Sequence, residues 1–269
     1  MKMLEFKRFT CNDIDNHSSI CVIAKRNSGK SWLVRDIVFS KRDIPVVIVI
    51  APTDKLNGFY DKFIPSVFIY YEYSSSILDN IFRRQEKIIS SNKKRKKLNK
   101  KPIDSRLLLI MDDCLASKSL WSKDKNIYEL LQNGRHYHIT YILTMQYSLG
   151  IQPELRSNFD FIFLLNEDFI NNQKRLYEHY AGMFDNFDTF KNVFITMTDN
   201  YGIMVLNSQK KSKLLNEKVF WYRAEMRDKF IVGSDKLKAF HNDNFNTNWR
   251  NKKNNGLSDS KMIINVNDK

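Results

Sequence analysis

Short apolar runs punctuate the chain at residues 20–23, 46–51, 107–111, 139–145 and 159–165. Each is four to seven residues long and bounded by polar or turn residues, the pattern of central strands buried on both faces. Between them, residues 31–39, 76–89, 126–133 and 167–180 place apolar side chains at helical spacing. In the second of these, Ile77, Leu78, Ile81 and Phe82 form one apolar face behind the capping residues Ser74, Ser75 and Ser76. Strands alternating with helices predict an α/β fold with a mainly parallel sheet between helical layers. Further on, runs at 193–198 and 203–206 flank Asp199-Asn200-Tyr201-Gly202 and predict a hairpin at a sheet edge. Beyond Asn207 the chain turns polar and basic. The expected organisation is therefore a domain over 1–207 and a C-terminal extension over 208–269, whose tail is expected to be mobile from about residue 242. No internal repeat is present.

Composition narrows the class of partner. With 269 residues and 42% hydrophobic content the chain can bury a substantial core, which excludes disorder throughout. A net charge of +14, from 44 Lys+Arg against 30 Asp+Glu, favours a polyanion such as nucleic acid. Half of that excess sits in residues 93–101, expected as a solvated or mobile loop; contact with DNA phosphates and a nuclear-targeting signal are the functional readings. Cys11, Cys21 and Cys114 lack the spacing of a zinc site or a disulfide framework, which suits a reducing compartment. No apolar run approaches the roughly 18 residues that span a bilayer, so a soluble, intracellular protein is expected.

The chemistry concentrates in Ala24-Lys25-Arg26-Asn27-Ser28-Gly29-Lys30-Ser31, which follows a predicted strand and opens a predicted helix. That is the form and context of a phosphate-binding P-loop, or Walker A motif. In such a loop backbone N–H groups surround the phosphates of ATP, the lysine reaches the β- and γ-phosphates, and the serine hydroxyl ligates Mg²⁺. Ala24 stands where the usual pattern has glycine, and its Cβ would cost about 1 kcal/mol if the backbone there required positive φ. The run 107–111 then delivers Asp112 and Asp113 at a strand's carboxyl end, as a Walker B motif does. Asp112 is the candidate Mg²⁺ ligand and Asp113 the candidate general base. If the strand 139–145 lies between these two, Gln146 falls beside the γ-phosphate. Among other conspicuous residues, His136 and His138 read as structural, Trp32 as core, and Tyr70 to Tyr73 as a strand edge. No adenine pocket is legible.

The set A-K-R-N-S-G-K-S, L-L-L-I-M-D-D, N-G-R-H-Y-H-I-T-Y-I-L-T-M-Q and L-R-S-N-F-D resembles the genome-packaging ATPases of poxviruses and other large nucleocytoplasmic DNA viruses. These belong to the FtsK and HerA superfamily, whose members usually carry Asp-Glu where this chain has Asp-Asp. The resemblance covers about residues 15 to 166. It implies a P-loop NTPase with a RecA-like three-layer sandwich, using ATP and Mg²⁺ to move double-stranded DNA into capsids. It implies Lys30 and Ser31 on phosphate and metal, Asp112 and Asp113 on metal and water, and Gln146 as sensor. It also implies a homo-oligomeric ring, a capsid or membrane-associated virion partner, and a place at the viral assembly site in the host cytoplasm or in the virion. For an arginine reaching a neighbouring subunit's γ-phosphate, Arg135 and Arg156 are the candidates.

Two other classes fit parts of the pattern. A nucleotide kinase also uses a P-loop, and its basic segment would be a lid over phosphates. A DNA-binding assembly protein with a vestigial loop would be non-catalytic.

Overall fold

The apolar runs become strands of a single sheet in the computed structural model, which describes residues 5–114, 124–146 and 151–246. The strands are β1 (Ser19–Ile23), β2 (Val46–Ile50), β3 (Ile69–Tyr70), β4 (Leu107–Asp112), β5 (Ile139–Met145), β6 (Phe161–Leu164), β7 (Ile203–Asn207) and β8 (Val219–Tyr222). Their order is β3-β2-β4-β5-β1-β6-β7-β8. The pairs from β3 through β6 are parallel, whereas β7 is antiparallel to both β6 and β8.

A parallel sheet must be covered on both faces, and the side-chain alternation along β1 shows how. Ile20 and Val22 face a core completed by Leu33, Val34 and Ile37 of helix α1 (Lys30–Ser40). Cys21 and Ile23 face the opposite core. That second core is closed by α2 (Ser75–Lys97), α3 (Lys125–Asn133), α4 (Ile170–Tyr180) and α5 (Phe187–Thr198). The result is the expected three-layer α/β sandwich. The cysteines are all free and buried within it.

The predicted hairpin is corrected. Residues 193–198 are the last turns of α5, and β7 pairs with β6 and β8 instead. Asn186 caps the helix by accepting from the Thr189 N–H at 2.9 Å, and Phe190 stacks on Phe194 with ring centroids 5.3 Å apart. Both rings are fully buried. A phenylalanine face at helical spacing thus outweighs the β-branched local sequence.

The basic run also differs from expectation. It continues α2 as helix through Lys97, where lysines and Arg95 in the last turn complement the helix dipole. The turn that follows is tied back: Asn92 exchanges two hydrogen bonds of 2.8 Å with the backbone of Ile103, and Arg95 Nε donates to the Lys101 carbonyl at 2.7 Å.

Past Asn207 the chain supplies β8, then crosses α1, and ends its described part after helix α6 (Asp235–Asn244). The crossing is fixed by Asp36, a fully buried carboxylate on α1. It accepts from the Tyr222 hydroxyl at 2.6 Å, the Glu225 N–H at 2.7 Å and Arg227 Nε at 2.6 Å. A buried charge is tolerated only when so partnered. On the other side of β8 the N-terminal segment covers the sheet edge, with Phe9 N–H donating to Trp221 at 2.9 Å and Trp221 N–H to Lys7 at 3.1 Å. The tail beyond residue 246, expected to be mobile, lies outside the described residues.

Candidate active site

The loop after β1 turns sharply into α1. Ala24 extends the strand, is buried, and donates its N–H to the Met145 carbonyl at 3.0 Å. The left-handed residues are Asn27, at φ of 61°, and Gly29, at φ of 94°, so the Cβ of Ala24 carries no penalty. Asparagine tolerates that conformation and glycine favours it. Ser28 Oγ closes the turn on the Lys25 carbonyl at 2.7 Å, and the Lys25 ammonium pairs with Asp168. Arg26 and Asn27 are exposed. Helix α1 then begins at Lys30, and the N–H groups of its first turn lack intrahelical acceptors at the carboxyl edge of the sheet. Ser31, half-buried, stands in that turn.

Strand β5 lies between β1 and β4, as the placement of Gln146 requires. Lys30 Nζ sits 2.8 Å from Asp112 Oδ1 and 3.4 Å from Thr144 Oγ1. The Thr144 hydroxyl donates to Asp112 Oδ1 at 2.5 Å and accepts from the Asp113 N–H at 3.1 Å. Gln146 Nε2 donates to Asp113 Oδ2 at 2.5 Å. Lys30, Asp112, Asp113 and Gln146 are thus one hydrogen-bonded network, joined through Thr144. The ion pair is secluded, with side-chain exposures of 17% for Lys30 and 8% for Asp112, so each charge depends on the other.

Two neutral groups flank this network. Burial, followed by the charge on Asp112, pushes the Tyr60 hydroxyl well above its ordinary pKa. The Cys114 thiol is raised by burial and then by Asp112 and Asp113, and it donates to the Ile50 carbonyl at 3.0 Å. Neither adds a charge to the site at neutral pH.

The donor set fits a nucleotide and a hard cation. Free N–H groups and one ammonium suit phosphate oxygens. Among the described residues no group of three or more His, Cys, Asp or Glu side chains could hold a metal. A cation here would rest on the Ser31 hydroxyl, the Asp112 carboxylate, phosphate and water, which is how Mg²⁺ is commonly held.

The two candidate arginines part company. Arg135 lies in the short 3₁₀ turn Gly134–Tyr137 ahead of β5, at the amino edge of the sheet and away from the loop. It is exposed, and among the described residues no ion pair holds it. Arg156 is 9% exposed, donates from Nε to the Ile151 carbonyl at 2.9 Å, and lies 5.9 Å from the Tyr180 ring centre. His138 bonds Ser105 Oγ at 2.6 Å and stacks on His17, while His136 is exposed and outside the network. Trp32 is half-exposed rather than core, edge-on to Phe59 and beneath the Arg35 guanidinium.

Thr144 escaped the sequence reading. Its one signal is a hydroxyl near the end of a mostly apolar strand.

Comparison with known proteins gives a consistent picture. The family described as Poxvirus A32 protein matches residues 6–181. An uncharacterized protein of Acanthamoeba polyphaga mimivirus is 46% identical over 245 residues, covering 91% of this chain and 86% of the relative. An uncharacterized protein of Frog virus 3 is 33% identical over 208 residues, 77% of this chain and 62% of the relative. Among solved structures, the genome packaging NTPase B204 of Sulfolobus turreted icosahedral virus 2, in complex with ATP-gammaS, superposes with a TM-score of 0.53 at 14% identity. That match covers 79% of this chain and 100% of the other, and it is a likeness of fold.

Proposed function

Because the chain belongs to the poxvirus A32 protein family, we propose that it is an ATP-hydrolysing motor that drives double-stranded viral DNA into capsids. The observation that carries this reading is the convergence of Lys30, Asp112 and Asp113 on Thr144 beside the phosphate loop, with Gln146 bonded to Asp113. The solved relative in fold is itself a genome packaging NTPase.

Residues 24–31 wrap the phosphates, and Lys30 exchanges its partner Asp112 for phosphate oxygens. Mg²⁺, held by Ser31 and Asp112, would neutralise charge on the β- and γ-phosphate oxygens. Asp113 accepts the proton of the attacking water, and Gln146, bonded to it, orients that carboxylate and reports whether the γ-phosphate is present. Arg135 acts on the next subunit's nucleotide, since it stands at the far edge of its own sheet. Arg156 is committed to internal contacts and serves packing. The partners are then a ring of identical chains, duplex DNA gripped through its backbone, and a capsid or membrane-associated virion component at the cytoplasmic assembly site or in the virion. No helix among the described residues is long and apolar enough to cross a membrane.

The test is ATP hydrolysis by the full chain with and without duplex DNA, alongside its oligomeric mass. DNA-stimulated turnover by an oligomer, reduced at least ~10²-fold in Lys30→Ala, is expected. Turnover that responds to a nucleoside monophosphate and not to DNA would replace this reading with a kinase.

A further inference from the structure

The turn between α5 and β7 stands beside the phosphate loop. Because β7 runs antiparallel to β6, with Met204 opposite Leu164 and so level with Ile23, its first residue lies at the carboxyl edge. The turn Asp199–Tyr201 therefore projects where the loop begins. Its Tyr201 ring closes on the loop itself: a Cβ built on Gly29 would lie 3.4 Å from Tyr201 Cδ1.

The conformation of this turn is unusual. Asn200 and Tyr201 hold successive left-handed backbones, at φ of 47° and 59°. A tyrosine rarely adopts that region, and here burial does not compensate, since Tyr201 is 66% exposed. Gly202 locks the turn, because a Cβ there would fall 2.1 Å from the Met197 carbonyl oxygen. The same turn borders a cleft of about 330 Å³, lined by Phe6, Met197, Asp199, Gly202, Trp221 and Arg223 among others. Aromatic walls with a few polar groups, at that volume, suit a planar heterocycle.

We propose that Tyr201 is the platform on which the base of the bound nucleotide stacks, with the adjoining cleft receiving the base edge. This rests on the phosphate-loop reading above. The phosphates fix one end of the nucleotide at Gly29 to Ser31, and an exposed ring beside Gly29 is placed to meet the nucleoside end. Stacking is tolerant of base identity, so Tyr201 contributes affinity and Asp199 and Arg223 supply whatever discrimination the site has.

The experiment titrates the full-length chain calorimetrically with ATP and, separately, with inorganic tripolyphosphate, comparing wild type, Tyr201→Ala and Tyr201→Phe. Tyr201→Ala should weaken ATP roughly ten-fold or more while leaving tripolyphosphate affinity unchanged. Tyr201→Phe should keep wild-type affinity for both, which separates stacking from a folding defect. Unchanged ATP affinity in Tyr201→Ala overturns the proposal, and so does an equal loss for ATP and tripolyphosphate, which would make the ring a prop for the loop. An altered oligomeric mass with unchanged ATP affinity would overturn it too, assigning the ring to a neighbouring chain. A wild-type chain that binds neither compound would instead overturn the phosphate-loop reading beneath it.

Discussion

The two ends of the parallel strands are built on opposite rules. At the carboxyl edge, the charged groups behind the phosphate loop are secluded and bonded to one another, Lys30 to Asp112, both to Thr144, and Asp113 to Gln146, while Lys25 and Asp168 pair nearer solvent. At the amino edge two arginines reach solvent. Arg106 pairs there with Asp43 and Asp104 in partly exposed contacts, and Arg135 stands out from its turn. Secluded networks are preorganised, since their partners do not have to be recruited from water. An exposed arginine with no ion pair among the described residues is instead open to other surfaces. The contrast is what the proposed function would need: a site held mostly by one chain, with one arginine left for a neighbour.

The sharpest way to break this contrast is at Arg135. Arg135→Ala should reduce hydrolysis by ~10³-fold or more, the range for a transition-state arginine supplied by a neighbour. ATP affinity and melting temperature should stay unchanged, because an exposed side chain held by no ion pair among the described residues contributes little to stability. A fall in melting temperature matching the loss of turnover would make Arg135 a folding residue.

Thr144→Val tests the opposite edge. It keeps the shape of the strand but leaves the Asp113 N–H without its acceptor and leaves Asp112 with Lys30 but without the hydroxyl donor. A stability loss of about 1–3 kcal/mol is expected by chemical denaturation, with reduced turnover. No change in either would show that the network does not depend on its central hydroxyl.

The smallest effect concerns His17, also at the amino edge. Burial, then the stacked His138, holds its pKa below the ordinary 6.5, with Arg106 lowering and Asp104 raising it less strongly. The folded chain therefore keeps His17 neutral while the unfolded chain takes up a proton. Stability is fully present above about 6.5 and declines as the pH falls below it. In His17→Asn, which suits the left-handed backbone at φ of 68°, that decline should be shallower. An identical pH profile would remove His17 from the account.

Much of the frame was legible because buried parallel strands are continuous apolar runs, because Asp112 and Gln146 directly follow such runs, and because Lys30 sits in a motif with its own spacing. What was misread shared a cause. Residues 193–198 look like a strand until Phe187, Phe190 and Phe194 are seen together as one helical face. Strand β8 is only four residues long and lies between polar segments, so its place depends on β7 and on the N-terminal segment, both distant in sequence. Trp32 follows an apolar pattern yet lies half-exposed at the first turn of α1, where the helix has just left the loop. Tyr201 was invisible as a site residue because its approach to Gly29 joins positions far apart in the chain.

The most direct measurement mixes two inactive chains. Arg135→Ala retains an intact phosphate loop, and Lys30→Ala retains the arginine, so a mixed ring contains interfaces with both. The account predicts that combining the two restores DNA-stimulated ATP hydrolysis that neither shows alone. A mixture that assembles to the wild-type mass and stays as inactive as its components would contradict a site shared between subunits.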